Sequence, residues 1–208
     1  KITSESRLEV IEPTKEHGAE PPEEIARAMM IFNVQILVTE KSLTHTRARR
    51  DATSKGARIA TMPTITEDIA NRCLDIDYDD LREKSRYVYN VLRMAKEIRV
   101  TTEPGTDMIF TIGSSGFFGM DGGSFDYPGA YGNLPEGEVS FAPEWCEGTY
   151  IVDASFADQG LLDSPVTFKV ENGSVVDISG ERAPNIKNRL DLIGPKAYIV
   201  AELGIGLN

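Results

Sequence analysis

Histidine and cysteine are both scarce in this chain, and their scarcity excludes several kinds of site. Only two histidines are present, His17 and His45, so a zinc ion held by three histidines is excluded. The two cysteines, Cys73 and Cys146, lie too far apart in the sequence to form a metal-binding pair. We expect both to be inert core residues of a protein in a reducing compartment such as the cytoplasm.

Long apolar runs and excess positive charge are also missing. No window of about 18 residues is continuously apolar, and the start shows no signal-peptide pattern, so the sequence predicts neither a membrane span nor secretion. The 22 Lys and Arg residues face 33 Asp and Glu residues, which gives a net charge of −11. Because a nucleic-acid groove needs concentrated positive charge, we expect no nucleic-acid partner and no membrane partner.

The rest of the composition is typical of a globular protein. Hydrophobic residues make up 40% of the chain and charged residues 26%. A length of 208 residues suffices for one large domain or two small ones. The acidic balance suits a soluble cytoplasmic protein or one that collects cations.

The first 77 residues alternate between strand and helix patterns. Pro22 precedes one predicted helix, and Thr44 is the predicted N-cap of the next. The predicted strands are residues 7–12, 34–38 and 57–62. The predicted helices are residues 23–30 and 45–55, with a third that starts with the capping pattern at residues 64–67. This order predicts an α/β domain with a parallel sheet, a partial Rossmann-like domain at residues 1–77.

The sequence pattern changes after a predicted long helix at residues 78–98. This helix either connects two domains or covers a core as an ordinary surface helix. Ten of the 18 glycines then fall between Gly105 and Gly148, interleaved with aromatic residues, which indicates a long ordered loop. Short strand patterns follow, and Asn172-Gly173 is typical of a type I′ hairpin turn. We therefore predict a mainly β domain at residues 99–208.

Few motifs in the sequence point to chemistry. The glycine motifs at residues 113–116 and 119–123 lack a Walker lysine and a following helix, so phosphate binding is not expected. His45 stands at a strand-to-helix junction, where it is either a ligand contact or a residue bonded to its own loop. His17 is expected to be solvated.

Two carboxylates stand in unusual surroundings. Glu138 lies at the start of a predicted strand after a loop shaped by glycine and proline, and Glu202 lies inside a run that is otherwise apolar. Because an unpaired buried carboxylate is costly, each of them is either a paired structural group or a metal ligand. Both alternatives are open from the residues alone.

Several blocks of the sequence resemble the aminopeptidase T and aminopeptidase S family of thermophilic metallo-aminopeptidases. The blocks occur in the family's order over most of residues 35–208: 41–50 (KSLTHTRARR), 56–63 (GARIATMP), 65–67 (ITE), 99–102 (RVTT), 104–107 (PGTD), 133–143 (NLPEGEVSFAP), 148–149 (GT) and 201–206 (AELGIG). The resemblance implies that Glu138 and Glu202 are ligands of a two-metal centre of zinc, cobalt or similar ions. It also implies hydrolysis of N-terminal residues from peptide substrates by a homodimer.

The same resemblance implies that the chain is truncated at both ends. The family's remaining metal ligands and its catalytic tyrosine lie beyond the position of Asn208, and residues 7–12 resemble the second strand of its first domain. We therefore predict that the 208-residue chain alone is inactive, with its catalytic residues unknown. Ring-cleaving dioxygenases of dihydroxypyridines, which bind a single iron, are similar over this region and are the alternative, although the two glutamates favour the peptidase. A non-catalytic binding or assembly module is the other alternative.

Overall fold

A computed structural model describes residues 6–113, 116–157 and 159–208, and the chain divides into two compact units. The first unit contains the described residues up to Arg86, with Met120–Glu138 and Gly206–Asn208. The second contains Tyr87–Gly119 and Val139–Ile205. Ser114 and Ser115, in the middle of the first glycine motif, lie outside the described residues. The predicted domain boundaries after residues 77 and 98 stay predictions.

The first unit is built on a three-stranded parallel sheet. In it, β1 (Val34–Leu37) pairs with β2 (Arg58–Thr61), and β2 pairs with β6 (Tyr131–Asn133). In the core of this unit, Ala48 and Ala52 of the helix at residues 47–54 pack with Met29 and Ile59. Because alanine side chains are small, this helix can lie close to the sheet. The elements from the start of the chain are α1 (Glu23–Met29), β1 (Val34–Leu37), α2 (Arg47–Ser54), β2 (Arg58–Thr61), α3 (Glu67–Cys73) and α4 (Tyr78–Met94). Together with the antiparallel sheet described below, they confirm the predicted fold class.

Three local predictions are wrong. Residues 7–12 form no strand, because no neighbouring strand pairs with them, and Leu8 and Val10 are 87% and 86% exposed. Thr46, rather than Thr44, caps α2 by accepting a hydrogen bond from the Arg49 N–H at 3.2 Å. The long helix ends at Met94 instead of residue 98, because residues 97–101 form a strand that pairs with residues 107–111.

The second unit is built on a five-stranded antiparallel sheet in the order β12–β11–β8–β4–β3. Asn172 and Gly173 join β11 to β12 with positive φ angles of 50° and 75°, as the hairpin prediction requires. The remaining elements are β3 (Glu97–Thr101), β4 (Asp107–Thr111), β5 (Phe118–Asp121), β6 (Tyr131–Asn133), β7 (Glu138–Phe141), β8 (Trp145–Val152), β9 (Ser155–Phe156), β10 (Gly160–Leu161), β11 (Val166–Glu171), β12 (Ser174–Ser179), α5 (Ala183–Ile193), a 3-10 helix (Pro195–Tyr198) and β13 (Leu203–Gly206).

Aliphatic and aromatic side chains form the core of this second unit. Ile186 of α5 packs on the sheet against Val166 and Phe168. On neighbouring elements, Phe141 lies edge-to-face with Phe110 at 6.3 Å between ring centroids. Two smaller sheets have the orders β10–β9 and β13–β7–β5. No helix within the described ranges is long and apolar enough to cross a membrane.

Candidate active site

A cavity of about 290 Å³ lies within the first unit, where the chain leaves the carboxyl end of β6. Ligands of α/β proteins commonly bind at this edge of a parallel sheet. We call it the acidic cavity, and its lining residues are Cys73, Asp121, Asn133, Pro135, Glu136, Gly137, Glu138, Gly206 and Asn208. Three carboxyl groups therefore share one small space.

The loop that carries two of these glutamates is held by the last residues of the chain. The N–H of Leu207 donates to the Gly137 carbonyl at 2.7 Å, and the side-chain amide of Asn208 donates to the Glu136 carbonyl at 2.8 Å. Gly137 has a φ of +131°, and a Cβ there would lie 2.9 Å from the Cβ of Asn208. Glycine is therefore needed for this close contact.

Two glycines lie directly beside the carboxyl group of Glu136. The Gly123 N–H donates a hydrogen bond to Glu136 Oε2, and a Cβ on Gly132 would overlap Glu136 Oε1. Burial, and then the nearby Asp121 carboxylate, raise the pKa of Glu136 to about 7, although the Gly123 N–H opposes this rise. A carboxyl group with this pKa is present in both forms near neutral pH and can accept or donate a proton.

The pKa values of two residues near Glu136 are raised as well. Partial burial raises the pKa of Asp121 at the end of β5, although the residue remains exposed on one side. Burial, and then the charge of Glu136, raise the pKa of Tyr78. Burial therefore disfavours negative charge on each of these three groups.

A hydrogen-bond network fixes Asn133 at the edge of the acidic cavity. Its side-chain carbonyl accepts from the Thr61 hydroxyl at 2.6 Å and from the Thr44 hydroxyl at 3.1 Å. Both threonines are buried. Because the carbonyl oxygen of Asn133 is occupied in this way, its amide N–H groups are oriented away from the two threonines.

The predicted metal ligands line different cavities. Glu138 is the exposed first residue of β7 in the acidic cavity. Glu202 is exposed just before β13 and lines an apolar cavity of about 280 Å³ in the second unit. Their shared metal centre stays a prediction.

Neither histidine is among the residues that line the acidic cavity. His17 Nδ1 accepts a hydrogen bond from the Ser42 N–H at 3.1 Å, so this ring has a protein partner as well as solvent. His45 is exposed in the turn before α2, and its backbone carbonyl accepts from the Arg50 guanidinium at 2.8 Å.

The sequence model of the NicX family, the 2,5-dihydroxypyridine 5,6-dioxygenases, matches residues 3–208. The match extends over nearly the whole chain. This chain belongs to the NicX family. The prediction of a metallo-aminopeptidase is therefore wrong, as is its classification as a hydrolase and a protease, and the dioxygenase alternative is favoured.

Solved structures show how widely the fold of this NicX-family chain is shared. The 2,5-dihydroxypyridine dioxygenase of Pseudomonas putida KT2440 matches with a TM-score of 0.70 and 19% identity, over 96% of this chain and 59% of that one. Wild-type AmpT of Thermus thermophilus matches with a TM-score of 0.59 and 18% identity, over 88% of this chain and 58% of that one. The chain thus spans about three fifths of these structures' lengths. No curated protein matches it.

A metal ion is compatible with both enzyme classes, but the described residues do not form a site for one. In residues 6–113, 116–157 and 159–208, no group of three or more histidine, cysteine, aspartate or glutamate residues could hold a metal ion. The carboxyl groups of the acidic cavity therefore do not fit a metal centre by themselves. Neither zinc nor cobalt, nor a pair of ions, gains support from this part of the NicX-family chain.

Sequence reasoning missed Asp121 and Glu136. Glu136 stands only two residues before the predicted ligand Glu138, in the same block of sequence. The signal that marks it is the set of glycines around it, since Gly123 and Gly132 both contact its carboxyl group. Such contacts are visible only once the fold brings these positions together.

Replacing Glu136 by glutamine is expected to stabilise the chain at neutral and alkaline pH. The folded chain holds this proton with a pKa of about 7, against an ordinary value of 4.5. The stability contributed by the proton is fully present below pH 4.5 and is lost as the pH rises through 7. Glutamine avoids this loss, so its advantage grows to about 1–2 kcal/mol, allowing for solvent near the group.

Urea unfolding at a series of pH values measures this difference. Glu83→Gln makes the same change of charge on the exposed surface of α4 and serves as the control. The difference between Glu136→Gln and wild type should be small in acid and level off above neutrality. If the free energies of unfolding of Glu136→Gln and wild type differ by the same amount from acid to alkaline pH, the pKa of the Glu136 carboxyl group is not raised.

Proposed function

We propose that this chain is part of a ring-cleaving dioxygenase that acts on a dihydroxylated pyridine. The match of the NicX family model to residues 3–208 is the observation that carries the proposal. The solved dihydroxypyridine dioxygenase supports it through a similar fold. Because the chain spans only part of that structure, the activity is assigned to the full-length gene product.

The proposed reaction needs no reductant other than the substrate. In 2,5-dihydroxypyridine, C5 carries a hydroxyl group and C6 carries a hydrogen atom. The C5–C6 bond breaks, one oxygen atom of O₂ is added to each carbon, and C5 becomes a carboxylic acid while C6 becomes a formyl group on nitrogen. The ring carbons are oxidised and O₂ is reduced, so atoms and electrons balance.

We assign the acidic cavity to recognition of the substrate's polar edge. Carboxyl oxygens accept hydrogen bonds from hydroxyl groups, most strongly when the carboxyl group is ionised, and Asp121 and Glu136 line the same space. The amide of Asn133 adds a donor, because its carbonyl is already occupied by two threonines. This set of groups suits a ring with hydroxyl substituents, whereas an unsubstituted ring would leave these polar groups unpaired.

The role assigned to these carboxyl groups is hydrogen bonding and not metal ligation. In the described parts of the chain, these carboxyl groups do not belong to a group of three or more side chains that could hold a metal ion. Asp121 and Glu136 would therefore orient the hydroxyl groups of the ring by accepting their protons in hydrogen bonds. The backbone contacts of Glu136 keep its carboxyl group in place before the substrate arrives.

Oxygen uptake tests the proposed function. The full-length gene product, with and without added iron(II), is given 2,5-dihydroxypyridine in an oxygen electrode while the loss of ring absorbance is followed. We expect O₂ and ring to disappear in equal amounts, with no turnover of pyridine and no hydrolysis of Leu-p-nitroanilide. Failure to consume oxygen under either condition, or release of nitroaniline at enzymatic rates, would overturn the proposal.

A further inference from the structure

Arg49 of α2 is a buried cation in the first unit. The residue is 5% exposed, and no carboxylate in the described part of the chain forms an ion pair with it. Its guanidinium carbon lies 3.7 Å from the centre of the Tyr131 ring, which is a favourable contact for a cation. Because burial of an unpaired charge is costly, neutral polar groups must replace the water around this guanidinium.

Arg49 holds a backbone carbonyl in the turn before α2. Its Nε donates to the Thr44 carbonyl at 2.7 Å, and a nitrogen at the tip of the guanidinium donates to the Thr53 hydroxyl at 3.4 Å. Ser42 holds the other side of the same threonine, because its Oγ accepts from the Thr44 N–H at 3.2 Å and donates to the Thr44 hydroxyl at 2.9 Å. These bonds fix the position of the Thr44 hydroxyl.

The Thr44 hydroxyl in turn contacts Asn133 at the acidic cavity. A hydroxyl group has one proton, and Ser42 supplies the proton that Thr44 accepts, so the proton of Thr44 is left for the Asn133 carbonyl at 3.1 Å. The Thr61 hydroxyl donates to the same carbonyl at 2.6 Å. The amide N–H groups of Asn133 donate to no other residue that the structure describes, so a ligand in the acidic cavity can accept from them.

We propose that Arg49 is a positioning residue for substrate recognition and acts on Asn133 through Thr44, a role that rests on the proposed function of the acidic cavity. The guanidinium holds the Thr44 carbonyl, and the Thr44 hydroxyl holds the Asn133 carbonyl. The Asn133 amide is then left to donate a hydrogen bond to an oxygen atom of the bound ring. Because these contacts exist before the ring binds, less free energy is lost in ordering the amide on binding.

The next residue of α2 provides a matched control. Arg50 is exposed, and its guanidinium donates to the His45 carbonyl at 2.8 Å, a bond of the same kind as that from Arg49 to Thr44. His45 does not line the acidic cavity. Replacing either arginine by methionine removes the donor and keeps an unbranched side chain that adapts to a buried position. Only the change at Arg49 is expected to affect Asn133.

The side-chain amide resonances of Asn133 in the 208-residue chain test this positioning without any turnover. Asn133→Ala identifies them in a proton–nitrogen correlation spectrum by their loss, and Thr44→Val shows how they shift when the hydroxyl is removed. We expect Arg49→Met to shift them in the same direction and Arg50→Met to leave them in place. Arg49→Lys, which has a carbon atom in place of Nε, is the second variant if Arg49→Met does not fold. Unshifted Asn133 resonances in a folded Arg49 variant would overturn the proposal.

Kinetics of the full-length gene product separate positioning from a loss of folded protein. A weakened hydrogen bond to the substrate raises KM, whereas a smaller folded fraction lowers only the apparent kcat. We expect Arg49→Met to raise KM for 2,5-dihydroxypyridine about tenfold at nearly constant kcat, and to have no further effect once Asn133→Ala is present.

The outcomes distinguish this role from the proposed function. An unchanged KM in Arg49→Met, or a fall in kcat alone, would overturn the positioning role while oxygen uptake by the wild type still supports the dioxygenase. A wild-type protein that consumes no oxygen would overturn the proposed function, and with it the role of Arg49 in recognising this substrate. The Asn133 resonances would then still show whether Arg49 positions the amide.

Discussion

Replacing Gly148 by alanine is expected to lower the free energy of unfolding by about 3 kcal/mol or more. Gly148 lies in β8, where it pairs with Met108 of β4 and Val170 of β11. Its φ is +130°, and a Cβ there would overlap the backbone carbonyl oxygen of Asp107 and lie 3.0 Å from the Met108 Cα. Because these atoms belong to a neighbouring strand's backbone, only a separation of β4 from β8 relieves the overlap.

Urea unfolding of Gly148→Ala and Gly173→Ala measures this effect. Gly173 also has a positive φ, of +75°, but a Cβ there meets nothing within 4 Å. The control therefore carries the cost of the backbone conformation alone, about 1 kcal/mol. If the two variants lose the same stability, the close approach of β4 to β8 at Gly148 is not a tight contact.

Local sequence signals predicted those elements whose geometry is decided by neighbouring residues. Asn172 and Gly173 both adopt positive φ, because few other residues reach this region at low cost. The apolar run at residues 34–38 predicted β1, and the alternation of strand and helix patterns predicted the parallel sheet. These features depend on backbone sterics and on hydrophobic patterns that the sequence displays directly.

The failures involve elements that depend on a partner. Residues 7–12 alternate like a strand, but a strand exists only where another one pairs with it. As threonines, Thr44 and Thr46 are equally suitable as the N-cap of α2 by residue type alone. The fold decides between them, because it gives the Thr44 hydroxyl to Thr61 and Asn133 and leaves Thr46 to the helix.

The candidate site shows the same division. A glutamate after a glycine- and proline-shaped loop drew attention to Glu138, whereas Glu136 in the same loop has the perturbed pKa. That perturbation comes from burial and from Asp121, which lies 15 residues earlier in the chain. No reading of local sequence gives the burial of a side chain or the distance between two such carboxyl groups.

The error about the reaction has a different origin. The blocks that resemble the aminopeptidases lie in a fold that the AmpT structure shares at 18% identity. A shared fold positions similar loops without fixing the chemistry performed there. The family model, which weighs residues 3–208 together, distinguishes two enzyme classes that short motifs did not.

Replacing Glu136 by alanine in the full-length gene product is expected to lower kcat/KM for 2,5-dihydroxypyridine by about 100-fold. The reason is the loss of a charge-assisted hydrogen bond to a substrate hydroxyl, which contributes about 2–3 kcal/mol when its partner would otherwise be left unpaired. Oxygen uptake at varied substrate concentration gives both kinetic constants. Glu83→Ala, on the exposed surface of α4, is the control and should have wild-type kinetics.

Gly132→Ala tests whether the position of this carboxyl group matters as well as its presence. The added Cβ overlaps Glu136 Oε1, so the carboxyl group must move although no acid has been removed. We expect Gly132→Ala to lose a large part of the activity that Glu136→Ala loses, with circular dichroism showing that both variants are folded. Full activity in a folded Glu136→Ala would exclude the acidic cavity from substrate recognition. Full activity in Gly132→Ala alone would mean that recognition tolerates a displaced carboxylate, because the surrounding loop adjusts to the added methyl group.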